Sequence, residues 1–132
     1  MVVFDKIMII AFPVENDEGL DSEISMHFGR AKYFAFVKVE ENKIADLVIK
    51  LNPHTEHAAG DLPKFVKENG ADTIVAYGMG PRAVDFFNEY GINVISGAKG
   101  KIRNVTEAIL QDSLIVDEFW KEHGDFEHRE KD

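Results

Sequence analysis

The stretch TIVAYGMGPRAVDFFNEYGINVIS, residues 73–96, decides the fold of this chain. Residues 73–77 are an apolar run of strand length, and the glycine-rich segment 78–81 follows as a turn. Next comes an apolar stripe with helical spacing, which we predict to face a sheet, at Ala83, Phe86, Phe87 and Tyr90. A second short apolar run at residues 92–96 completes a strand, a helix and a strand, the pattern of a parallel β-α-β unit.

Upstream of this unit the pattern is that of strands. Residues 7–12 are continuously apolar and are expected to form a strand buried on both faces, which Pro13 ends. Residues 33–40 and 43–51 are two further strand-like runs. Only the polar pair 41–42 separates them, so they predict an antiparallel hairpin.

Two further helices complete the predicted order of elements. Residues 58–69 have a helical period, and Gly70 suits the left-handed position after a helix end. Asn104 and Glu107 form a capping-box pattern that predicts a helix from Asn104 to about residue 111. The predicted core positions of these two helices are Leu62, Phe65, Val66, Val105, Ala108 and Ile109. The order β-β-β-α-β-α-β-α predicts an α/β fold with a mixed sheet and helices on its faces.

The length and charge of the chain predict one domain with an acidic tail. Of 132 residues, 45% are apolar and 30% are charged, which suffices for a single core at residues 1–116. The tail at 117–132 holds seven acidic and three basic side chains, so it carries −4 of the total charge of −9. The remaining −5 argues against nucleic acid and anionic membranes as partners, because both bind basic surfaces.

The chain contains no cysteine, which excludes a cysteine nucleophile and an iron–sulfur cluster held by the protein's own thiolates. The first apolar stretch is interrupted by Asp5 and Lys6 and follows no basic leader, so we do not expect a signal peptide. A cytoplasmic location is therefore expected.

Removal of residues 117–132 is expected to leave the fold intact, because this segment has no helical or strand period. The measurement is the thermal midpoint of a chain that ends at residue 116. A midpoint lowered by more than about 10 °C would show that the tail packs on the domain. Phe119 and Trp120 are the side chains that would then account for the packing.

Residues 13–30 form a long stretch without helical or strand period, and loops of such length are commonly functional or mobile. The stretch ends in His27-Phe28-Gly29-Arg30. An imidazole is a common metal ligand, and glycine lets a ligand approach the backbone closely. Arginine offers a fixed fork of donors to anionic oxygen or sulfide. We therefore expect binding residues in this segment.

Two further histidines, His54 and His57, lie in the loop after the third predicted strand. They are three residues apart, and they share a side only if that loop is helical. Together with His27 they are the candidate metal ligands. The alternative is that each is a solvated or hydrogen-bonded loop residue.

The turn Gly78-Met79-Gly80-Pro81-Arg82 is a candidate anion site, because free N–H groups at a helix N-terminus favour an anion and glycines let it approach. It lacks the ending of a P-loop and the third glycine of a dinucleotide fingerprint. The alternative is a tight turn with a structural proline at the helix start.

No motif for a nucleophile, a zinc protease site or a paired acid and base occurs in the sequence, so we predict a binding domain rather than an enzyme. A two-metal nuclease on this kind of sheet needs a carboxylate on the first strand, and residues 7–12 contain none. A nuclease is therefore the least favoured function.

Several segments resemble, in order, the dinitrogenase iron-molybdenum cofactor biosynthesis family, the small domain of NifX, of NafY and of the C-terminus of NifB. The resemblance covers about residues 6–115. The segments that carry it are IAFPV (10–14), HFGRA (27–31), GADTIVAYGMGPRA (70–83), YGINV (90–94) and NVTEA (104–108).

The resemblance implies a three-layer ribonuclease H-like fold without nuclease activity. It also implies binding of an iron–molybdenum cofactor, or of its iron–sulfur precursor, during metallocluster assembly related to nitrogen fixation. His27 then becomes the candidate ligand, and the loop with His57 and Gly60 becomes part of the site. Without thiolates, such a protein holds a preassembled cluster as a carrier, with cofactor-assembly proteins as its partners. The alternative function is an interaction module that binds an anion or a protein through Gly78–Arg82, the turn that contains Gly78 and Gly80.

Overall fold

The computed structural model describes residues 7–53, 60–114 and 116. Within them lie β1 (Ile7–Val14), β2 (Tyr33–Glu40), β3 (Lys43–Leu51), α1 (Asp61–Glu68), β4 (Thr73–Val75), α2 (Pro81–Glu89), β5 (Asn93–Ile95) and α3 (Ile102–Leu110). The strands form one mixed sheet in the order β3-β2-β1-β4-β5. β2 is antiparallel to β1 and β3, whereas β1, β4 and β5 are parallel. The predicted α/β class, element order and mixed five-stranded sheet are confirmed.

The sheet separates two apolar clusters, because successive side chains of a strand point to opposite faces. On one face, Phe12 of β1 packs in a cluster with Ile102 of α3. On the other face, Ile74 of β4 packs in a cluster with Leu62 of α1 and Phe87 of α2. The molecule therefore has the three layers that the resemblance implies. No helix within the described ranges is long and apolar enough to cross a bilayer.

The hairpin of β2 and β3 has the predicted boundaries. Glu41 and Asn42 both adopt left-handed backbone conformations, with φ of 53° and 64°. Two consecutive residues with positive φ make a turn whose twist matches that of the flanking strands, so the turn fixes the register.

The prediction that Pro13 ends β1 is wrong, because the strand continues to Val14. Pro13 lies opposite Phe34 of β2, and its carbonyl accepts a hydrogen bond from the Ser25 N–H at 2.8 Å. The nitrogen and oxygen of one strand residue point to the same side. The missing N–H of proline therefore faces the loop, and the pairing with β2 loses no hydrogen bond.

The predicted capping box at Asn104 is also wrong, because α3 begins at Ile102 and Lys101 is its N-cap. The N–H of Ile102 donates to the carbonyl of Ser22 at 3.0 Å. A backbone group from a distant loop thus satisfies one of the donors at the helix start, and the helix begins before the expected cap.

The other elements are shorter than predicted. β4 ends at Val75, and β5 comprises Asn93–Ile95. α1 begins at Asp61, and Gly70 follows its end with the expected positive φ of 84°. The predicted tail at 117–132 and the histidines at 54 and 57 lie outside the described residues.

The two phenylalanines of the α2 stripe occupy different environments. Phe87 is fully buried in the cluster beneath α1 and α2. Phe86 is partly exposed and lies against Gly60, where a Cβ atom would stand 3.1 Å from its ring. The stripe therefore faces the sheet through Phe87, whereas Phe86 faces the start of α1.

Candidate functional site

The candidate site lies at the carboxyl edge of the sheet, where the parallel strands β1, β4 and β5 end. β1 is the central strand of the sheet. After β1 the chain continues to β2 on one side of it, whereas β4 and then β5 lie on the other side. Such a switch point in an open sheet leaves a crevice between diverging loops, and ligands of α/β proteins commonly bind there.

The loop after β1 is ordered rather than structureless, which corrects the prediction for residues 13–30. It contains two short 3-10 turns, Gly19–Asp21 and Phe28–Arg30. The N–H of Ile24 donates to the carbonyl of Gly100 at 2.9 Å, so this loop is fastened to the loop after β5. Hydrogen bonds to distant parts of the chain thus order this loop, although its sequence has no helical or strand period.

His27 stands directly before the second 3-10 turn, and its side chain is partly exposed. The Ser25 hydroxyl donates to the His27 carbonyl at 3.0 Å and accepts from the His27 N–H at 3.2 Å. The backbone of His27 is therefore held by Ser25, a buried residue. The Nδ1 atom of the imidazole is buried.

The His27–Arg30 segment and the Gly78–Arg82 turn meet at this edge. The N–H of Phe28 donates to the carbonyl of Gly78 at 3.3 Å. A Cβ atom on Gly78 would lie 3.1 Å from the carbonyl oxygen of Met26, closer than most such contacts. Glycine at position 78 thus allows the two loops to approach each other.

The substitution Gly78→Ala is expected to lower the free energy of unfolding by about 1–3 kcal/mol, because the added methyl group presses on a backbone carbonyl. Chemical denaturation followed by circular dichroism measures this loss. Unchanged stability would show that the Met26 carbonyl moves aside at no cost and that the contact does not require glycine.

The Phe28 side chain serves the core rather than the surface. It is 7% exposed, and its ring meets those of Phe34 and Phe87 edge to face at centroid distances of 5.7 and 5.5 Å. This anchor fixes the turn that carries Gly29 and Arg30. Arg30 is exposed and brings a positive charge to this turn.

The remaining predicted residues are only partly brought together. Gly80 is the N-cap of α2, and no side chain caps this helix start. Gly60 precedes α1, and the ring of Phe86 lies 3.1 Å from the position that a Cβ atom on Gly60 would take. His54 and His57 lie outside the described residues and remain predictions.

The structure adds a cavity that the sequence did not indicate. Its volume is about 670 Å³, and the lining includes Glu15, Glu23, Met26 and Lys99. Met26 directly precedes His27 and is 48% exposed. The ammonium of Lys99 lies 5.7 Å from the ring centre of Tyr77, within the range of a cation–π contact. The sequence could have indicated Lys99, because this residue lies in the glycine-rich loop that follows the parallel strand β5.

The described residues do not form a complete ligand set of their own. No group of three or more His, Cys, Asp or Glu side chains suited to a metal ion occurs in the described ranges. A preassembled cluster needs fewer protein ligands than a bare ion, because its own sulfides fill most coordination positions. One imidazole with nearby cations therefore fits a bound cluster better than a bare metal ion.

Comparisons with known proteins bear on this arrangement. The model of the family described as "Dinitrogenase iron-molybdenum cofactor" matches residues 7–112. The uncharacterized protein MJ0580 of Methanocaldococcus jannaschii is 29% identical over 112 residues, which are 83% of this chain and 91% of that protein.

Solved structures share the fold. The crystal structure of PH0822 is similar with a TM-score of 0.80 and 39% identity, and the match covers 86% of this chain and 99% of that one. The apo form of the orange protein from Desulfovibrio gigas has a TM-score of 0.69 at 24% identity, with 84% and 93% covered. This second likeness shows the fold alone.

Proposed function

Since this chain belongs to the dinitrogenase iron-molybdenum cofactor family, we propose that it is a non-enzymatic carrier of a preassembled metal–sulfur cluster. The family connects the chain with the biosynthesis or binding of the iron–molybdenum cofactor. The proposed cargo is that cofactor or an iron–sulfur precursor, and the proposed partners are the proteins that deliver and receive it. Carriage rather than catalysis is proposed because the sequence lacks nucleophile and paired acid–base motifs.

The observation that carries this proposal is the contact between the two glycine-containing loops. The hydrogen bond from Phe28 to Gly78 places His27 and the start of α2 at one edge of the sheet. An imidazole and the amide groups of a helix start are thus provided by separate parts of the chain. A cluster at this edge would meet one metal ligand, and the backbone N–H groups of Arg82 and Ala83 would be donors to its sulfides.

Exposed cationic side chains support an anionic cargo. The chain as a whole carries −9, which repels anions at a distance. Arg30, Arg82 and Lys99 are exposed, and they lie in or directly after the loops that follow β1, β4 and β5. These side chains offset the repulsion where the cluster would bind.

A single imidazole ligand, that of His27, is also suited to transient binding of a cluster. A cluster scaffold holds its metals through several thiolates, and this chain has no cysteine. A single nitrogen ligand from His27 gives a bond that a partner with more ligands replaces readily. The proposed role is therefore delivery of an intact cluster.

The test is anaerobic incubation of the protein with isolated iron–molybdenum cofactor or with an iron–sulfur precursor. The protein is re-isolated by gel filtration, and its molybdenum, iron and sulfide contents are measured. We expect about one cluster per chain, released unchanged to an apo-acceptor protein. Retention of neither metal nor sulfide, or chemical conversion of the cluster, would contradict the carrier role.

A second candidate function is anion binding at the start of α2. Gly80 caps this helix without a side-chain hydrogen bond, so the first-turn amides of α2 are not satisfied by a capping side chain. Titration calorimetry with inorganic phosphate tests this candidate. Phosphate binding that persists in His27→Ala and is lost in Arg82→Ala would favour it over the carrier.

A further inference from the structure

The outer strand β3 has an unpaired edge within the ranges that the structure describes. It stands at the end of the strand order and pairs only with β2. Its other side presents backbone N–H and C=O groups, which are a template for pairing with a further strand. Two apolar side chains of β3, Val48 and Leu51, are 45% and 69% exposed.

A β-bulge leaves only part of β3 regular. The pairing with β2 is continuous from Leu51 to Asp46, and the register then shifts between Lys38 and Val39. Ala45 has no partner in β2 as a result. A bulge twists the strand locally and ends regular pairing. Residues 46–51 therefore form the segment of the edge that a second strand could follow.

The regular segment has an acidic, an apolar and a basic side chain on one face. Leu47 and Ile49 pack against the cluster beneath α3. The alternating residues Asp46, Val48 and Lys50 point to the opposite face and are exposed.

The helix on this face does not cover β3. Phe65 of α1 packs edge to face on Phe34 and Phe36 of β2, with centroid distances of 5.8 and 5.9 Å. α1 thus lies over the neighbouring strand. This position leaves Val48 in contact with solvent.

The sequence of this face is complementary to itself in antiparallel pairing. When Val48 lies opposite Val48 of a second copy, Asp46 of each chain lies opposite Lys50 of the other. Two ion pairs then flank an apolar contact at a two-fold axis. Registers that bring Asp46 opposite Asp46, or Lys50 opposite Lys50, join like charges. A shift of one residue joins the exposed face of one copy to the core face of the other.

We propose that the protein forms a two-fold symmetric dimer through β3, in which the two sheets of five strands join edge to edge. Lys50 Nζ donates to Asn69 Oδ1 within the chain. An ammonium has three donors, so the pair with Asp46 of the second copy does not require this bond to break. Asp46 Oδ1 accepts the Leu47 N–H of its own chain at 2.8 Å, and the carboxylate has a second oxygen for the ion pair. β3 is separated from β1 by β2, and the dimer therefore leaves the carboxyl edge of each copy open.

The test is sedimentation of the full chain over concentrations from about 5 µM to 1 mM, at low and at high salt. We expect a reversible dimer that weakens in high salt. Asp46→Lys and Lys50→Asp are each expected to raise the dimer dissociation constant at least about tenfold, because two attractive pairs become repulsive ones. The double variant with both reversals restores opposite charges and is expected to dimerise within about threefold of the wild type.

Glu89→Lys on α2 is the matched control for Asp46→Lys, because it makes the same change of charge at an exposed position away from β3. It is expected to leave the dissociation constant unchanged. Circular dichroism verifies that every variant folds. A monomer throughout the concentration range would overturn the proposal and would mean that another segment or partner covers the edge. A dimer insensitive to the single reversals, or not restored by the double reversal, would overturn it as well.

Discussion

The variant Phe87→Ala is expected to lose about 3–5 kcal/mol of the free energy of unfolding. Phe87 is fully buried, and its ring packs edge to face on Phe28 at a centroid distance of 5.5 Å. Removal of the ring leaves a cavity between α2 and the sheet. It also removes the support of the turn that follows His27. Urea denaturation monitored by circular dichroism measures the loss.

Phe86→Ala is the matched control, because it removes the same kind of ring from the preceding position of the same helix. Phe86 is partly exposed and lies against Gly60. We expect a loss of about 1–2 kcal/mol, since part of this ring already contacts water. Equal losses at both positions would show that the helix is oriented differently from the structure.

Sequence periodicity is sufficient to predict most of the fold, because the signals are local. The bounds of β2 and β3 follow from two apolar runs separated by two polar residues, and the turn between them is fixed by its own backbone. The face of α2 follows from the stripe that contains Phe87. Each of these features depends on residues close together in the chain.

The errors in the predicted elements have tertiary causes. Pro13 continues β1 because its carbonyl accepts a hydrogen bond from the N–H of Ser25. α3 begins at Ile102 because the carbonyl of Ser22 accepts its N–H. In both cases the partner belongs to a distant part of the chain, and no local pattern announces it.

The candidate site, too, can be predicted from the sequence only in part. The motifs that contain His27 and Gly78 are visible in the sequence separately, and their residue types suggest binding. Their junction, a hydrogen bond from Phe28 to Gly78, links residues 50 positions apart and becomes evident only in the folded sheet. The cavity that Lys99 lines is formed by two loops that are far apart in the sequence, so no local sequence pattern predicts it.

The variant His27→Ala is expected to lose cluster retention by at least about tenfold, because the proposed cluster would lose its imidazole ligand. The free energy of unfolding is expected to fall by less than about 1 kcal/mol. The hydrogen bonds to Ser25 that hold this turn involve the backbone of residue 27 and survive the substitution. Metal and sulfide analysis after anaerobic loading, together with the thermal midpoint, measures both effects on one preparation.

Two further variants separate ligation from other roles of the histidine. Arg30→Ala is expected to weaken retention less than His27→Ala, because it removes charge complementarity but no bond to a metal. His128→Ala, in the acidic tail of the sequence, removes an imidazole that the proposal does not use and is expected to leave retention unchanged. If His27 only supports its loop, His27→Ala would lower the thermal midpoint and leave retention intact. That result would contradict the ligand assignment, whereas lost retention at an unchanged midpoint is explained by a ligand and not by a purely structural residue.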